Sequence, residues 1–467
     1  MSDVCLIYAK EDSIFASKLY DILAERWDVW WDDKIVGRFA IAIEKELPGA
    51  RCIVPIFSAS SRSKDTFTDE LRLAQKHGIE LIPVRIDDSL PPYSFGSYSN
   101  IPLLSWSGQA DHPGILQLQR RIHSIVPARM HPKRPAAIEA GKLPLPAYFF
   151  SVSSHETQVI PNEALQSLRI FGAPQMLVSA YDLVARRKPQ ALLRELAKYR
   201  EAGGFVLLDS GNYEASRLGT RRWKPDDLKG VMAQAPHDWA FCFDVMDPSR
   251  TAEKAVEEIL AAVERDSKHT GAPVLPIVHA PRLKKGGYDL THTPAILKEI
   301  ANELTPRAIA IAERELGGGI IARARTVHAI REKLNELPFY QPLHLLGSGN
   351  PWTVAVLAAA GADTFDGLEW CRVVIDSGGD ADRTNHFQHF DFFEDQQAGS
   401  AILDSILQEA NVGFGAKVLF HNLEYFTGFS SYMQDMFKAD SIEAFVNNIL
   451  GKKPTNKLKL QIPGIFK

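Results

Sequence analysis

Carboxylates and one imidazole recur in this chain directly after short apolar runs, a position from which acid–base or nucleophilic chemistry can be mounted. Asp209 opens Asp209-Ser210-Gly211, Asp244 follows Phe243, His279 follows Val278, Glu313 follows Ala312 and Asp366 follows Phe365. Another apolar run ends in Gly347-Ser348-Gly349. A carboxylate can move a proton, or attack an electrophilic carbon and hold it covalently. Three aspartates in one dry cleft would repel, so at least one should titrate above its ordinary range unless a cation or donor intervenes. His279 reads either as a ligand contact or as a buried, hydrogen-bonded core histidine. A separate carboxylate, Glu70, sits in Asp65-Thr66-Phe67-Thr68-Asp69-Glu70-Leu71, where a solvated helix face is the plainer explanation.

The elements that must position these groups fall into two blocks. Eight apolar strand candidates follow residue 146: Ala147–Val152, Gln175–Ser179, Phe205–Asp209, Trp239–Asp244, Val274–His279, Ala308–Ala312, Leu343–Gly347 and Asp363–Asp366. Helical patterns such as Gln190–Ala202, Thr251–Glu264 and Ile320–Leu334 separate them. Eight strands with intervening helices predict a (β/α)8 TIM barrel, whose chemistry gathers at the strands' C-terminal ends. Asp209, Asp244, His279, Glu313, Gly347, Ser348 and Asp366 all lie at such ends. Before them, Val4–Tyr8, Val29–Trp31, Cys52–Phe57 and Leu81–Ile86 alternate with helix-like Phe15–Ala24, Ile41–Leu47 and Glu70–Lys76. That alternation predicts a parallel sheet covered on both faces. The domains expected are 1–128, a proline-rich linker at 129–145, a barrel at 146–451 and a basic surface tail at 452–467.

Composition narrows the class. Hydrophobic residues at 45% and charged residues at 24% of 467 exclude wholesale disorder. Four scattered cysteines (Cys5, Cys52, Cys242, Cys371) form no CxxC pair, which fits a reducing cytoplasm. No apolar run reaches membrane-spanning length and no cleavable leader is expected. The first 128 residues hold 14 basic and 17 acidic side chains, and the remainder 39 and 40. A nucleic-acid partner is therefore not indicated by charge, although a local patch could serve one.

Asp3-Val4-Cys5-Leu6-Ile7-Tyr8-Ala9-Lys10-Glu11-Asp12 resembles the opening box of a TIR domain. Val29-Trp30-Trp31-Asp32-Asp33 with Gly37 is similar to its second strand and following loop, and Ala50–Ser58 to its third strand. The resemblance implies a flavodoxin-like fold, association through TIR domains into a homo-oligomer and, in the enzymatic branch, cleavage of the nicotinamide–ribose bond of NAD. Glu70 matches the glutamate those enzymes use to stabilise an oxocarbenium-like ribose. One departure is Thr66, where the family often has tryptophan. Tyr8 and Phe57 are the aromatics that would line a nucleotide cleft, unless they are core.

Phe205-Val206-Leu207-Leu208-Asp209-Ser210-Gly211-Asn212-Tyr213-Glu214 resembles the DSGGFQ segment of tRNA-guanine transglycosylases. His344–Pro351, Asp363–Asp366 and Leu419–Phe426 are similar to three further segments of that family, in order. The resemblance implies Asp366 as nucleophile on the ribose C1′, Asp209 as acid/base and Asp244 as reader of a purine edge. It also exposes departures. Aligned on His421, Phe390, Phe392 and Asp395 stand where three zinc-binding cysteines belong, so no zinc is expected. Val278-His279-Ala280 and Glu313-Arg314-Glu315 replace the segments that admit guanine, so the ligand expected is another purine-like base or nucleoside. The fusion of two such blocks implies a bacterial anti-phage immune effector whose TIR domain hydrolyses or cyclises NAD as substrate, with the barrel binding or processing the base or nucleoside. The alternative is a base-exchange enzyme acting on tRNA or DNA with the TIR domain as scaffold, or two binding modules without catalysis.

Overall fold

The computed structural model describes residues 2–31, 47–154, 157–184, 189–217, 219, 222–376, 383–386, 388, 390 and 400–466. Two compact units divide the chain, one of Met1–Ala140 with Asn335–Tyr340, the other of Gly141–Leu334 with Gln341–Lys467.

The first unit is built on a parallel sheet. Val4–Ile7 lies between Val29–Trp30 and Cys52–Phe57, and the order continues through Val84–Arg85 to Ile101–Pro102, with Glu80–Leu81 also pairing Cys52–Phe57. Successive side chains of a strand point to opposite faces, so a strand buried on both sides feeds two cores. Val4, Leu6, Cys52, Val54 and Ile56 join the core containing Ala16, Leu19, Leu23, Ile115, Leu118 and Ile122. Cys5, Ile7, Ile53 and Phe57 join the opposite core, with Phe67, Leu71 and Ala74. Helices Ser13–Ala24 and Pro113–Ile125 therefore cover one face and Asp65–Lys76 the other. The strand expected over Leu81–Ile86 is two pieces, Glu80–Leu81 and Val84–Arg85, parted at Pro83, which has no N–H to give. The helix expected over Ile41–Leu47 lies, Leu47 apart, outside the described residues.

The second unit is a closed parallel barrel. Its strands are Ala147–Val152, Gln175–Ser179, Phe205–Asp209, Trp239–Phe241, Val274–Val278 with a break at Pro276, Ile309–Ala312, Leu343–Leu346 and Thr364–Gly367. The eighth pairs with the first, Asp366 opposite Phe149, and this closes the sheet. Pro276 has no N–H to give a ladder, yet Val274–Leu275 still pairs with the fourth strand and Ile277–Val278 with the sixth. Helices Pro161–Phe171, Pro225–Met232 and Pro351–Ala359 each begin on a proline, whose missing N–H costs nothing in a first turn. Two expectations change. Within the proline-rich stretch, Ala137–Ile138 and Leu143–Pro144 are short strands. The basic tail holds a helix, Lys452–Gln461, and Leu458, Ile462 and Ile465 are buried, so an apolar spacing lay beneath the lysines.

A buried ion pair braces the barrel below the site. Arg331 Nη2 meets Asp363 Oδ2 at 2.5 Å, while its Nε and Nη1 donate to the carbonyls of Gly361 and Gln341 at 2.9 and 3.0 Å. The same Asp363 oxygen accepts the Leu343 N–H at 2.7 Å, which ties the start of the seventh strand to the eighth. Removing one partner of a buried pair leaves the other charge uncompensated, at a cost of about 3–5 kcal/mol. Arg331→Met should therefore lower unfolding stability by about that much. A denaturant midpoint unchanged from wild type would contradict this.

Candidate functional site

The carboxyl ends of the barrel strands enclose a cavity of about 310 Å³. Asp209, Asp244, His279, Gly347 and Asp366 all line it, together with Ser151, Ser153, Tyr213, Glu214, Arg314, Glu369 and Arg372. Asp366 is oriented by three donors. Ser151 Oγ donates to its Oδ2 at 2.7 Å, the Gly347 N–H to Oδ1 at 2.9 Å, and His344 Nε2 lies 3.2 Å from Oδ1. His344 is set in turn by Thr364 Oγ1, 2.8 Å from its Nδ1. The Gly347 amide reaches Asp366 in a turn with φ of 71°, which suits glycine.

Asp209 accepts only the Gly211 N–H, at 2.9 Å, among its described hydrogen bonds. Burial, then the charges of Glu214 and Asp244, push its carboxyl well above the usual range. Burial likewise lifts Glu214 to about 7. Asp244 is the reverse case. Burial alone would raise it, but His279 and Ser210 outweigh burial and hold it below its ordinary value. Ser210 Oγ donates to Oδ1 at 2.8 Å and His279 Nε2 to Oδ2 at 2.9 Å. One carboxyl that keeps its proton beside another that stays ionised is the division of labour acid–base chemistry requires.

Other sequence candidates fall differently. Glu313 is buried but pairs with Arg323 and does not line the cavity, since the turn Glu313–Glu315 presents Arg314 there instead. The Arg314 guanidinium lies 4.2 Å from the centre of the Tyr213 ring. Ser348 is also buried off the lining, and its Oγ has no hydrogen-bond partner among the described residues. Tyr213, Glu214, Glu369 and Arg372 were not singled out. The signal for them was proximity, since Glu214 follows Asp209 by five positions, in the helix Asn212–Arg217 that leaves the strand, and Glu369 and Arg372 follow Asp366. Glu369 fills a space that only glycines leave open, because a Cβ on Gly349 would overlap its carboxylate.

In the first unit Glu70 stands on helix Asp65–Lys76, half-buried beside the Phe67, Leu71, Ala74 stripe. Tyr8 is half-buried next to Trp31, with ring centres 6.0 Å apart. Phe57 is core, 1% exposed and edge-on to Phe67. Trp31 is buried and Trp30 half-buried, and Asp32, Asp33 and Gly37 lie outside the described residues. At the same carboxyl edge Ser58 Oγ donates to Asp12 at 2.6 Å.

The segment expected to lack zinc ligands is described only in part. His421 Nε2 donates to the Ile375 carbonyl at 2.9 Å, and its ring stands 5.3 Å from that of Phe390. His389, Phe392 and Asp395 lie outside the described residues. Among the described residues no three His, Cys, Asp or Glu side chains are grouped to hold a metal.

Comparison with known proteins fits this architecture. Residues 4–137 match the family model of the TIR domain. The C-terminal part is similar to tRNA-guanine(15) transglycosylases. That of Methanosarcina mazei is 22% identical over 248 residues, 50% of this chain and 49% of the relative. That of Archaeoglobus fulgidus is 23% identical over 231 residues, 46% of this chain and 45% of the relative. That of Methanothermobacter thermautotrophicus is 23% identical over 201 residues, 42% of this chain and 30% of the relative. The chain thus spans half or less of the length of these curated relatives.

The raised carboxyl of Glu214 has a consequence for stability. Its folded-state value of about 7 exceeds the ordinary 4.5, so the folded state holds an extra proton between those limits. Stability is then lost as pH rises from about 4.5 to 7. Glu214→Gln should remove that slope and make the variant the more stable protein at pH 8 relative to pH 5. Parallel stability curves for the two proteins would rule the assignment out.

Proposed function

We propose that the TIR domain breaks the nicotinamide–ribose bond of NAD and that the barrel binds and processes a purine-like base or nucleoside by glycosyl transfer. The observation that carries the barrel reading is the convergence of Asp209, Asp244 and Asp366 on one cavity. In this scheme the Asp366 carboxylate attacks the ribose C1′ as the C1′–N bond breaks. The electron pair leaves with the base, which takes a proton from Asp209, while Asp244 accepts N–H groups of the base edge. An incoming base or water then returns its proton to Asp209 and displaces the ester. In the TIR domain nicotinamide departs as a neutral base, and Glu70 stabilises the oxocarbenium-like ribose left behind. We place the protein in the cytoplasm as an anti-phage effector, self-associating through its TIR domains and binding no zinc. Four buried cysteines, none in a disulfide, support a reducing compartment. No helix among the described residues is long and apolar enough to cross a membrane. The retained carboxylates also favour a second reading, base exchange on tRNA or DNA with the TIR domain as scaffold.

Glu70→Gln should slow NAD loss by about 10²–10³-fold or more, the scale on which removing an electrostatic stabiliser acts. Its thermal unfolding should match wild type, and undiminished NAD cleavage would sink the assignment. For the barrel, Asp366→Asn should abolish exchange of labelled base into nucleoside or RNA while still binding it, whereas exchange at the wild-type rate would refute the nucleophile. Elemental analysis should find no stoichiometric zinc, and a zinc ion lost together with stability on chelation would overturn that expectation.

A further inference from the structure

Both ring nitrogens of His279 are committed. Nε2 faces Asp244 Oδ2 at 2.9 Å and Nδ1 faces Glu315 Oε1 at 2.8 Å, with all three side chains no more than 5% exposed. The other Glu315 oxygen accepts the Ala280 N–H at 2.9 Å, so Glu315 is pinned to the backbone next to the ring it holds. Burial would strip a proton from this imidazole, but the two carboxylates outweigh burial and push it up to about 9. The charged groups around it are Asp244 and Glu315 in contact, Arg314 4.0 Å from Glu315, and Asp209 acting on Asp244. His279 therefore has no ring nitrogen left for a ligand, although it lines the cavity.

We propose that His279 and Glu315 form a positioning pair: the imidazolium, clamped between two carboxylates, fixes Asp244 as a hydrogen-bond acceptor, so that the cavity selects ligands presenting an amino group. Asp244, Glu315 and the imidazolium by themselves carry one net negative charge; the partly exposed Arg314 approaches it on the Glu315 side, and an N–H donor on the ligand offsets it on the Asp244 side. A carboxylate has room for about four accepted hydrogen bonds, so Asp244 retains capacity beyond Ser210 and His279. Glu315 touches no ligand in this scheme and acts through the ring. When the imidazolium loses its proton only one N–H remains for two carboxylates, and the ring lone pair faces the other. Asp244 then competes with Glu315 for that one N–H and keeps only Ser210 as an uncontested side-chain donor. Glutamine at 315 cures that conflict, because its amide can donate to the bare ring nitrogen while its carbonyl still accepts from Ala280.

The inference rests on the cavity being a base site, and the experiment separates the two. Full-length wild type, Glu315→Gln and His279→Gln are titrated by calorimetry with adenosine, 2-aminopurine riboside and purine riboside from pH 7 to 10. At least one amino-bearing nucleoside should bind wild type tenfold or more tightly than purine riboside. That affinity should fall about tenfold from pH 8 to pH 10 in wild type and stay level in Glu315→Gln. In parallel, nitrogen NMR of histidine-labelled protein, with the signal identified by its loss in His279→Gln, should show His279 protonated on both nitrogens at pH 8. A His279 carrying one proton at pH 8, equal binding of purine riboside, or parallel pH curves in wild type and Glu315→Gln would each overturn the positioning pair while leaving the base site intact. If no nucleoside binds wild type, the base-site reading falls and the inference falls with it.

Discussion

Pairing of the first barrel strand with the eighth turns scattered residues into a cavity. Ala147–Phe150 runs beside Thr364–Gly367, and one step beyond that register Ser151 donates to Asp366 across 215 positions of sequence. A parallel sheet left open there would expose an edge and leave Asp366 without one of its donors. Closure also sets Asp209 and Asp244, at the ends of the third and fourth strands, across the same mouth. The Arg331–Asp363 pair supports this joint from beneath, where Asp363 holds both the arginine and the Leu343 amide.

Closure has an electrostatic consequence. It draws Asp209, Glu214, Asp244, Asp366 and Glu369 around about 310 Å³, and buried carboxylates repel unless something answers each of them. The barrel answers them unequally. His279 and Ser210 hold Asp244 below its ordinary value, whereas burial pushes Asp209 and Glu214 upward and raises Glu369 despite its 2.6 Å pair with Arg372. This inequality gives the cavity its chemical character, because protonated and ionised carboxyls sit within one ligand's reach of each other.

Much of this was legible in the sequence, for a physical reason. Strands buried on both faces read as continuous apolar runs, so each of the eight was visible, and the polar side chains just past four of them (Asp209, Asp244, His279 and Asp366) marked the mouth. The partners of those carboxylates were harder to see. Ser151 and His344 look like ordinary strand residues, and only the register of closure brings them to Asp366. Glu313 and Arg314 differ by one position, and the single turn Glu313–Glu315 decides which of them meets the cavity. Glu315 stood out only as part of the charged run Glu313-Arg314-Glu315, and its pairing was hidden because its partner His279 lies 36 residues away in sequence. In the tail the lysines masked the buried spacing of Leu458, Ile462 and Ile465.

The account stands or falls on which carboxylate attacks the ribose carbon. Wild-type protein can be incubated with total RNA and with ribonucleosides, with no second base added to displace the ester, quenched in acid, treated with nuclease and mapped by peptide mass spectrometry. The account predicts a ribosyl adduct on the peptide bearing Asp366 and on no other. An adduct on the peptide bearing Asp244, or no adduct under any of these conditions, would contradict it.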